Sequence, residues 1–188
     1  MRIFLAAALA TSCAFAQQPL YEDARVRILK AQVDPRIAEA RMQFARGSIT
    51  YAGIVIEMLP KQTNPHNVCS EVLSGEYLHC RESAPEWLGA NLLLQFETDQ
   101  THIGILQIVP GATLAVPPFD VPPLLIALEG TEAEAVSHAN GAPAGSGSRR
   151  KISATNVLRS PADLITEIRN TGKAPARFLV VEFGGPGE

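Results

Sequence analysis

Four side chains with metal-friendly donor atoms crowd into one stretch: His66, Cys69, His79 and Cys80, spaced as H-x-x-C, nine residues, then H-C. Zinc takes imidazole and thiolate ligands of this kind in tetrahedral sites. The adjacent pair His79-Cys80 argues against that use, because neighbours on a strand project to opposite faces. The stretch "CSEVLSGEYLHC" centres instead on Ser74-Gly75, which reads as a hairpin turn. The ends of such a hairpin face each other, so the expectation is a Cys69–Cys80 disulfide in an oxidising compartment, with two surface histidines beside it. Closing so short a loop contributes ~2–3 kcal/mol. A second charged feature is Arg149-Arg150-Lys151, which follows a Gly/Ser-rich stretch whose other foot carries Glu129, Glu132 and Glu134. Opposite charges at the feet of a loop steady it weakly in solvent; a polyanion site on the three basic residues is the sharper alternative. No P-loop, dinucleotide fingerprint, G-x-S-x-G elbow or H-E-x-x-H helix occurs.

The disulfide needs an exported protein, and the first residues supply that expectation. The apolar run Ile3–Ala10 and the small-residue triplet Ala14-Phe15-Ala16 read as a secretory signal peptide over 1–16, cleaved after Ala16. The mature chain is therefore expected to be secreted or periplasmic. The competing reading makes "LATSC" a bacterial lipoprotein signal that lipidates Cys13, although Ala10 stands where such signals carry Leu. No segment approaches the ~20 apolar residues of a membrane helix, so no membrane span is expected. Sixteen Lys and Arg against 19 Asp and Glu leave a net charge of −3. With a single basic cluster, that balance disfavours nucleic acid as a partner. The chain of 188 residues, 46% hydrophobic, can bury the core of one large or two small domains.

The elements that must position any site read as strands. Residues 24–33, 48–59, 91–97, 102–109, 124–130, 150–158, 164–170 and 176–183 are rich in Ile, Val and Leu, and Pro, Gly, Asn or Asp separates them. Many short strands with turn signals between them predict an all-β sandwich or barrel. At most one short helix is expected, over 34–47, with Asp34 as cap, Pro35 in its first turn and Gly47 as its stop; the alternative for the same residues is an irregular strand. Polar, turn-forming residues break the pattern at 61–68 and 137–150. An echo between "YEDARVRILKAQVDP" (21–35) and "FETDQTHIGILQIVPG" (96–111) suggests two related halves.

The stretch "GATLAVPPFDVPPLLIALEG" runs Gly111, five residues, Pro117, one residue, Phe119, three residues, Pro123, six residues, Gly130. In this spacing the chain resembles a cupin, whose first motif places two histidines and a glutamate where Pro117, Phe119 and Pro123 stand. "PADLITEIRN" resembles the second cupin motif: Pro161 and Asn170 are kept, Asp163 takes the glycine position and Thr166 the histidine position. The resemblance covers 96–183 and implies a double-stranded β-helix, or jelly-roll, barrel over 96–188. For 17–95 it implies a β-rich N-terminal region that could be a second, degenerate cupin half, with Met42 and Phe44 near its histidine positions.

Iron, manganese, nickel or zinc in such a barrel needs converging nitrogen and oxygen donors. Proline and phenylalanine offer none, and Thr166 offers one neutral hydroxyl. No metal and no cofactor are therefore expected. The prolines fix φ and lack a ladder donor, so 117–123 should be irregular, with pairing resuming at Leu124. The expected protein is an exported, metal-free, cupin-like module that is structural or binds a small apolar or sugar-like molecule, and is not a catalyst. Its pocket candidates are Pro117, Phe119, Pro123, Leu124, Asp163 and Thr166. The alternative follows from the resemblance: metal-free cupin epimerases use a His/Asp pair, which here would be His102 with Asp120 or Asp163. Cupins also often pair through their sheets, which makes a homodimer the expected assembly.

Overall fold

The computed structural model describes residues 18–31, 43–45, 48–58, 87–88, 91–97, 101–143 and 146–183. Its strands in chain order are β1 (Tyr21–Glu22), β2 (Val26–Lys30), β3 (Gln43–Ala45), β4 (Ser48–Tyr51), β5 (Ile54–Met58), β6 (Leu92–Glu97) and β7 (Thr101–Ile108). They continue as β8 (Thr113–Val116), β9 (Leu124–Ala127), β10 (Glu132–Ala139), β11 (Ser148–Ser153), β12 (Val157–Arg159), β13 (Leu164–Asn170) and β14 (Ala176–Phe183). Three sheets result: an N-terminal one ordered β1-β2-β5-β4-β3, a central one ordered β12-β9-β14-β7-β6, and an outer one ordered β11-β10-β13-β8. Every described strand pair is antiparallel.

From β7 onward the chain crosses back and forth between the central and outer sheets. The order 12-9-14-7 in one matches 11-10-13-8 in the other. That matched order is a jelly roll, so the region is the all-β, cupin-like barrel that the motif spacing implied. Its interior joins Leu106, Ile108, Leu125, Ala127, Leu158, Phe178 and Val180 of the central sheet to Leu114, Val116, Ala133, Ala135, Ile152 and Ile168 of the outer one. Burying a side chain such as Phe178 contributes ~1.5–3 kcal/mol.

The central sheet is apolar on both faces. Its alternate residues Ile103, Ile105, Leu124, Ile126, Leu179 and Val181 pack against Val26, Ile28, Ile49, Ile54 and Ile56 of the N-terminal sheet. A sheet covered on both sides has no polar face, which explains the unbroken apolar runs in β7, β9 and β14. Polar latches reinforce the contact: Arg177 Nη2 donates to Tyr51 Oη at 2.8 Å, Arg159 Nη1 donates to Tyr21 Oη at 3.2 Å, and the Arg25 guanidinium lies 4.1 Å from the centre of the Phe183 ring.

The described part of 17–95 is thus one sheet laid on the barrel, with β6 completing the central sheet, and a boundary between 95 and 96 falls inside β6. Three local expectations are corrected. Residues 48–59 are not one strand: Ala52 (φ 46°) and Gly53 (φ 77°) make a two-residue turn between β4 and β5, the left-handed pair that tight hairpins require. Likewise 150–158 breaks into β11 and β12 around Thr155 (φ 66°). Of the helix expected over 34–47, Gln43–Ala45 is strand β3 paired with β4. The rest of that segment lies outside the described residues, as do the signal peptide 1–16, Cys13, and His66, Cys69, His79 and Cys80.

Of the retained motif residues, Gly111, Gly130 and Asn170 hold the end of the barrel opposite the candidate site. Gly111 (φ 77°) and Gly130 (φ 78°) occupy turns in the left-handed region, where a side chain costs about 1 kcal/mol. Asn170 is 1% exposed. Its Nδ2 donates to the Ile108 carbonyl at 2.8 Å and the Ala174 carbonyl at 2.9 Å, and its Oδ1 accepts from the Gly172 N–H at 2.9 Å. One side chain therefore staples the end of β7 to the β13–β14 turn.

Candidate functional site

At the other end of the barrel, where β7 and β13 begin and β8 and β14 finish, polar side chains meet inside. His102 and Glu182 are register partners on β7 and β14. Even-numbered residues of both strands face the interior, as Leu106 and Val180 do, so these two side chains face it as well. His102 Nδ1 is hydrogen-bonded to Glu182 Oε2. The other carboxylate oxygen, Oε1, accepts the Trp87 indole N–H at 2.9 Å. Trp87 in turn meets Phe119 edge-to-face, with ring centroids 5.7 Å apart and planes at 68°, the arrangement that ring quadrupoles favour. Leu88, beside Trp87, is wholly buried within the barrel's apolar core, against which Trp87 and Phe119 are partly buried.

A second polar group bridges the two sheets of the barrel at this end. Ser160, which follows β12, donates to Thr166 Oγ1 at 2.7 Å, and Thr166 shares a 2.9 Å hydrogen bond with Ser137 on β10. The buried hydroxyl of Thr166 is thereby held from both sides, as a polar group without access to water must be.

The segment 117–123 is irregular, and pairing resumes at Leu124. Pro117 and Phe119 are half-buried, Pro123 and Thr166 buried. Leu124 is buried too, but on the opposite face of the central sheet, where it packs with the N-terminal sheet. Asp163 is exposed in the turn before β13, and Asp120 is also exposed. The carboxylate that pairs with His102 is accordingly Glu182 and not Asp120 or Asp163: cross-strand register puts Glu182 directly opposite His102, while both aspartates lie in exposed connections. Sequence reasoning also passed over Trp87, Ser137 and Ser160. A lone acid inside the apolar closing strand "ARFLVVEF" was the available signal for Glu182, since a charge there needs a partner.

The donor set does not fit a transition ion. Pro117, Phe119 and Pro123 have no donor atoms, the Thr166 hydroxyl is engaged by Ser160 and Ser137, and both Glu182 oxygens accept hydrogen bonds. Among the described residues no three His, Cys, Asp or Glu side chains converge. Imidazole and carboxylate together can instead hold and orient a proton. None of the helices among the described residues is long and apolar enough to cross a membrane.

No family model and no curated protein matches the chain. Among solved structures, a Cupin 2 conserved barrel domain protein from Salinispora arenicola is similar at 20% identity and TM-score 0.37, over 55% of this chain and 73% of that one. The Cupin_2 domain of an XRE family transcriptional regulator from Enterobacter cloacae is similar at 18% identity and TM-score 0.36, over 46% and 83%. The Schizosaccharomyces pombe Cnp3 cupin domain is similar at 16% identity and TM-score 0.39, over 54% and 69%. The strand order of the barrel, rather than these likenesses, makes the fold cupin-like.

Proposed function

We propose that the protein is an exported, non-catalytic module that binds a small apolar or sugar-like ligand, without a metal, at the His102 end of its barrel. The observation that carries this reading is the half-exposed aromatic pair Trp87–Phe119, whose Phe119 stands at a histidine position of the cupin-like motif. Aromatic edges and faces pack against aliphatic chains and the C–H faces of sugars, and a few fixed polar groups then orient the ligand. Because Trp87 is the single tryptophan, its fluorescence reports on the site. Titration with monosaccharides, disaccharides and short-chain alcohols should give a saturable emission change with at least one class, and Phe119→Ala should abolish it. Emission that no ligand moves, or a change that Phe119→Ala leaves intact, counts against the reading. The same proposal includes cleavage after Ala16 and the Cys69–Cys80 disulfide. N-terminal sequencing should begin at Gln17, and thiol titration under denaturing conditions should find no free cysteine. A homodimer would have to pair elsewhere than the outer face of the central sheet, which the N-terminal sheet covers.

The His102–Glu182 pair favours a second reading, a metal-independent epimerase or isomerase in which Glu182 orients His102 as the base. Incubation with sugars in D2O tests it: deuterium at a carbon centre, lost in His102→Gln, supports catalysis, and the absence of exchange leaves the binding module.

A further inference from the structure

We propose that Asn140 is a site of spontaneous deamidation, with the backbone amide of Gly141 as the intramolecular nucleophile. Asn140 and Gly141 are the two middle residues of the turn that ends β10, closed by the Ala142 N–H donating to the Ala139 carbonyl at 3.0 Å. Both are exposed. The Gly141 N–H belongs to the middle peptide of that turn, which the closing bond does not use. Gly141 sits at φ 83°, and even a Cβ built on it would meet nothing within 4 Å. Neither its own side chain nor a neighbour therefore obstructs the approach of its nitrogen to the Asn140 side chain.

Other described asparagines lack this combination, Asn91 being followed by the branched Leu92. Asn156 Oδ1 accepts from the Ser153 N–H at 3.0 Å, and a β-branched Val157 follows it. Asn170 is buried with its amide fully engaged and is followed by Thr171. The Asn140 side chain makes no hydrogen bond to any described residue.

In the reaction the Gly141 nitrogen, having given its proton to solvent base, attacks Cγ of Asn140. A carbon–nitrogen bond forms, the side-chain nitrogen leaves as ammonia, and a five-membered succinimide remains. Water adds to either imide carbonyl and breaks one carbon–nitrogen bond, giving aspartate or isoaspartate. One water is consumed and one ammonia released, with nothing oxidised or reduced. The product carries a new negative charge at the tip of the β10–β11 hairpin, and the isoaspartyl form lengthens the backbone of the turn.

The test is peptide mapping by mass spectrometry of the intact mature protein, aged in 18O-enriched water at several pH values. The expected result is aspartate and isoaspartate at Asn140, carrying 18O, formed several-fold faster than at Asn156 or Asn170, at a rate that rises with pH. Gly141→Ala should slow the conversion several-fold. Conversion at Asn140 no faster than at Asn170, or a rate insensitive to pH, overturns the proposal, and so does an undiminished rate in Gly141→Ala; the first two readouts need no variant.

Discussion

Replacing Asn170 with alanine removes the staple at the end of the barrel away from the site. The side chain is 1% exposed and makes three hydrogen bonds of 2.8 to 2.9 Å. Each contributes about 1 kcal/mol net, and a buried carbonyl left without a donor costs ~1 kcal/mol more, so Asn170→Ala should lose about 3–4 kcal/mol. For a chain of this size each kcal/mol lowers Tm by ~2–4 °C, which predicts a fall of roughly 6–16 °C. Urea unfolding followed by circular dichroism should show the midpoint fall at unchanged slope, since the native fold is kept. Asn170→Asp separates the hydrogen-bond account from simple loss of volume. It preserves shape but turns a carboxylate toward the Ile108 and Ala174 carbonyls, and should be at least as damaging as alanine. A loss below ~1 kcal/mol for Asn170→Ala, or a near-neutral Asn170→Asp, would mean that these hydrogen bonds do not hold the end of the barrel.

Gly147→Ala should destabilise by ~3 kcal/mol or more in the same assay, because a Cβ there would lie 1.6 Å from the Ser137 carbonyl oxygen and only backbone movement can relieve that overlap. Glu182→Gln leaves one acceptor oxygen where the carboxylate offers two, so it cannot accept from both Trp87 and His102 as Glu182 does. The Glu182 side chain is only 18% exposed, so ~1–3 kcal/mol should be lost, and a shift in Trp87 emission should accompany it. Asp23 reports on the N-terminal sheet. Burial pushes its carboxyl up, but the Arg25 and Val26 N–H groups, the Tyr21 hydroxyl and the Arg25 charge outweigh that and hold it below the usual carboxylate value. A carboxyl lowered by folding stabilises at neutral pH and loses that contribution as pH falls through its folded titration range. The stability gap between wild type and Asp23→Asn should therefore be present at pH 7 and close in acid.

Much of the barrel was legible in the sequence because its signals are local. Alternation marked β2 and β4, and apolar runs marked β7, β9 and β14, although the strand expected over 124–130 stops at Ala127 and gives way to the turn at Gly130 (φ 78°). β10 was missed because "EAEAVSHA" carries alanine and glutamate, poor strand formers; it is held as a strand by burial of Ala133 and Ala135 inside the barrel. Leu124 could not be assigned a face, since a strand buried on both sides carries no polarity pattern to orient it. The candidate site was the least legible part. Trp87 and Glu182 are 95 residues apart in sequence, and His102 and Glu182 are 80 apart, so their meeting depends on strand register, which short-range spacing does not encode. Phe119 and Thr166 lie at the same end of the barrel as His102, whereas the carboxylates that the family resemblance offered for His102, Asp120 and Asp163, are not the one that cross-strand register puts opposite it.

This barrel end holds aromatic rings, paired hydroxyls and an engaged imidazole–carboxylate pair, with Phe119 and Thr166 at positions where the cupin-like motif would carry metal ligands. Elemental analysis of the purified mature protein, before and after chelation, should find iron, manganese, nickel and zinc far below stoichiometric amounts, and adding them should leave Trp87 emission unchanged. A stoichiometric metal whose removal shifts Trp87 emission would contradict this metal-free reading.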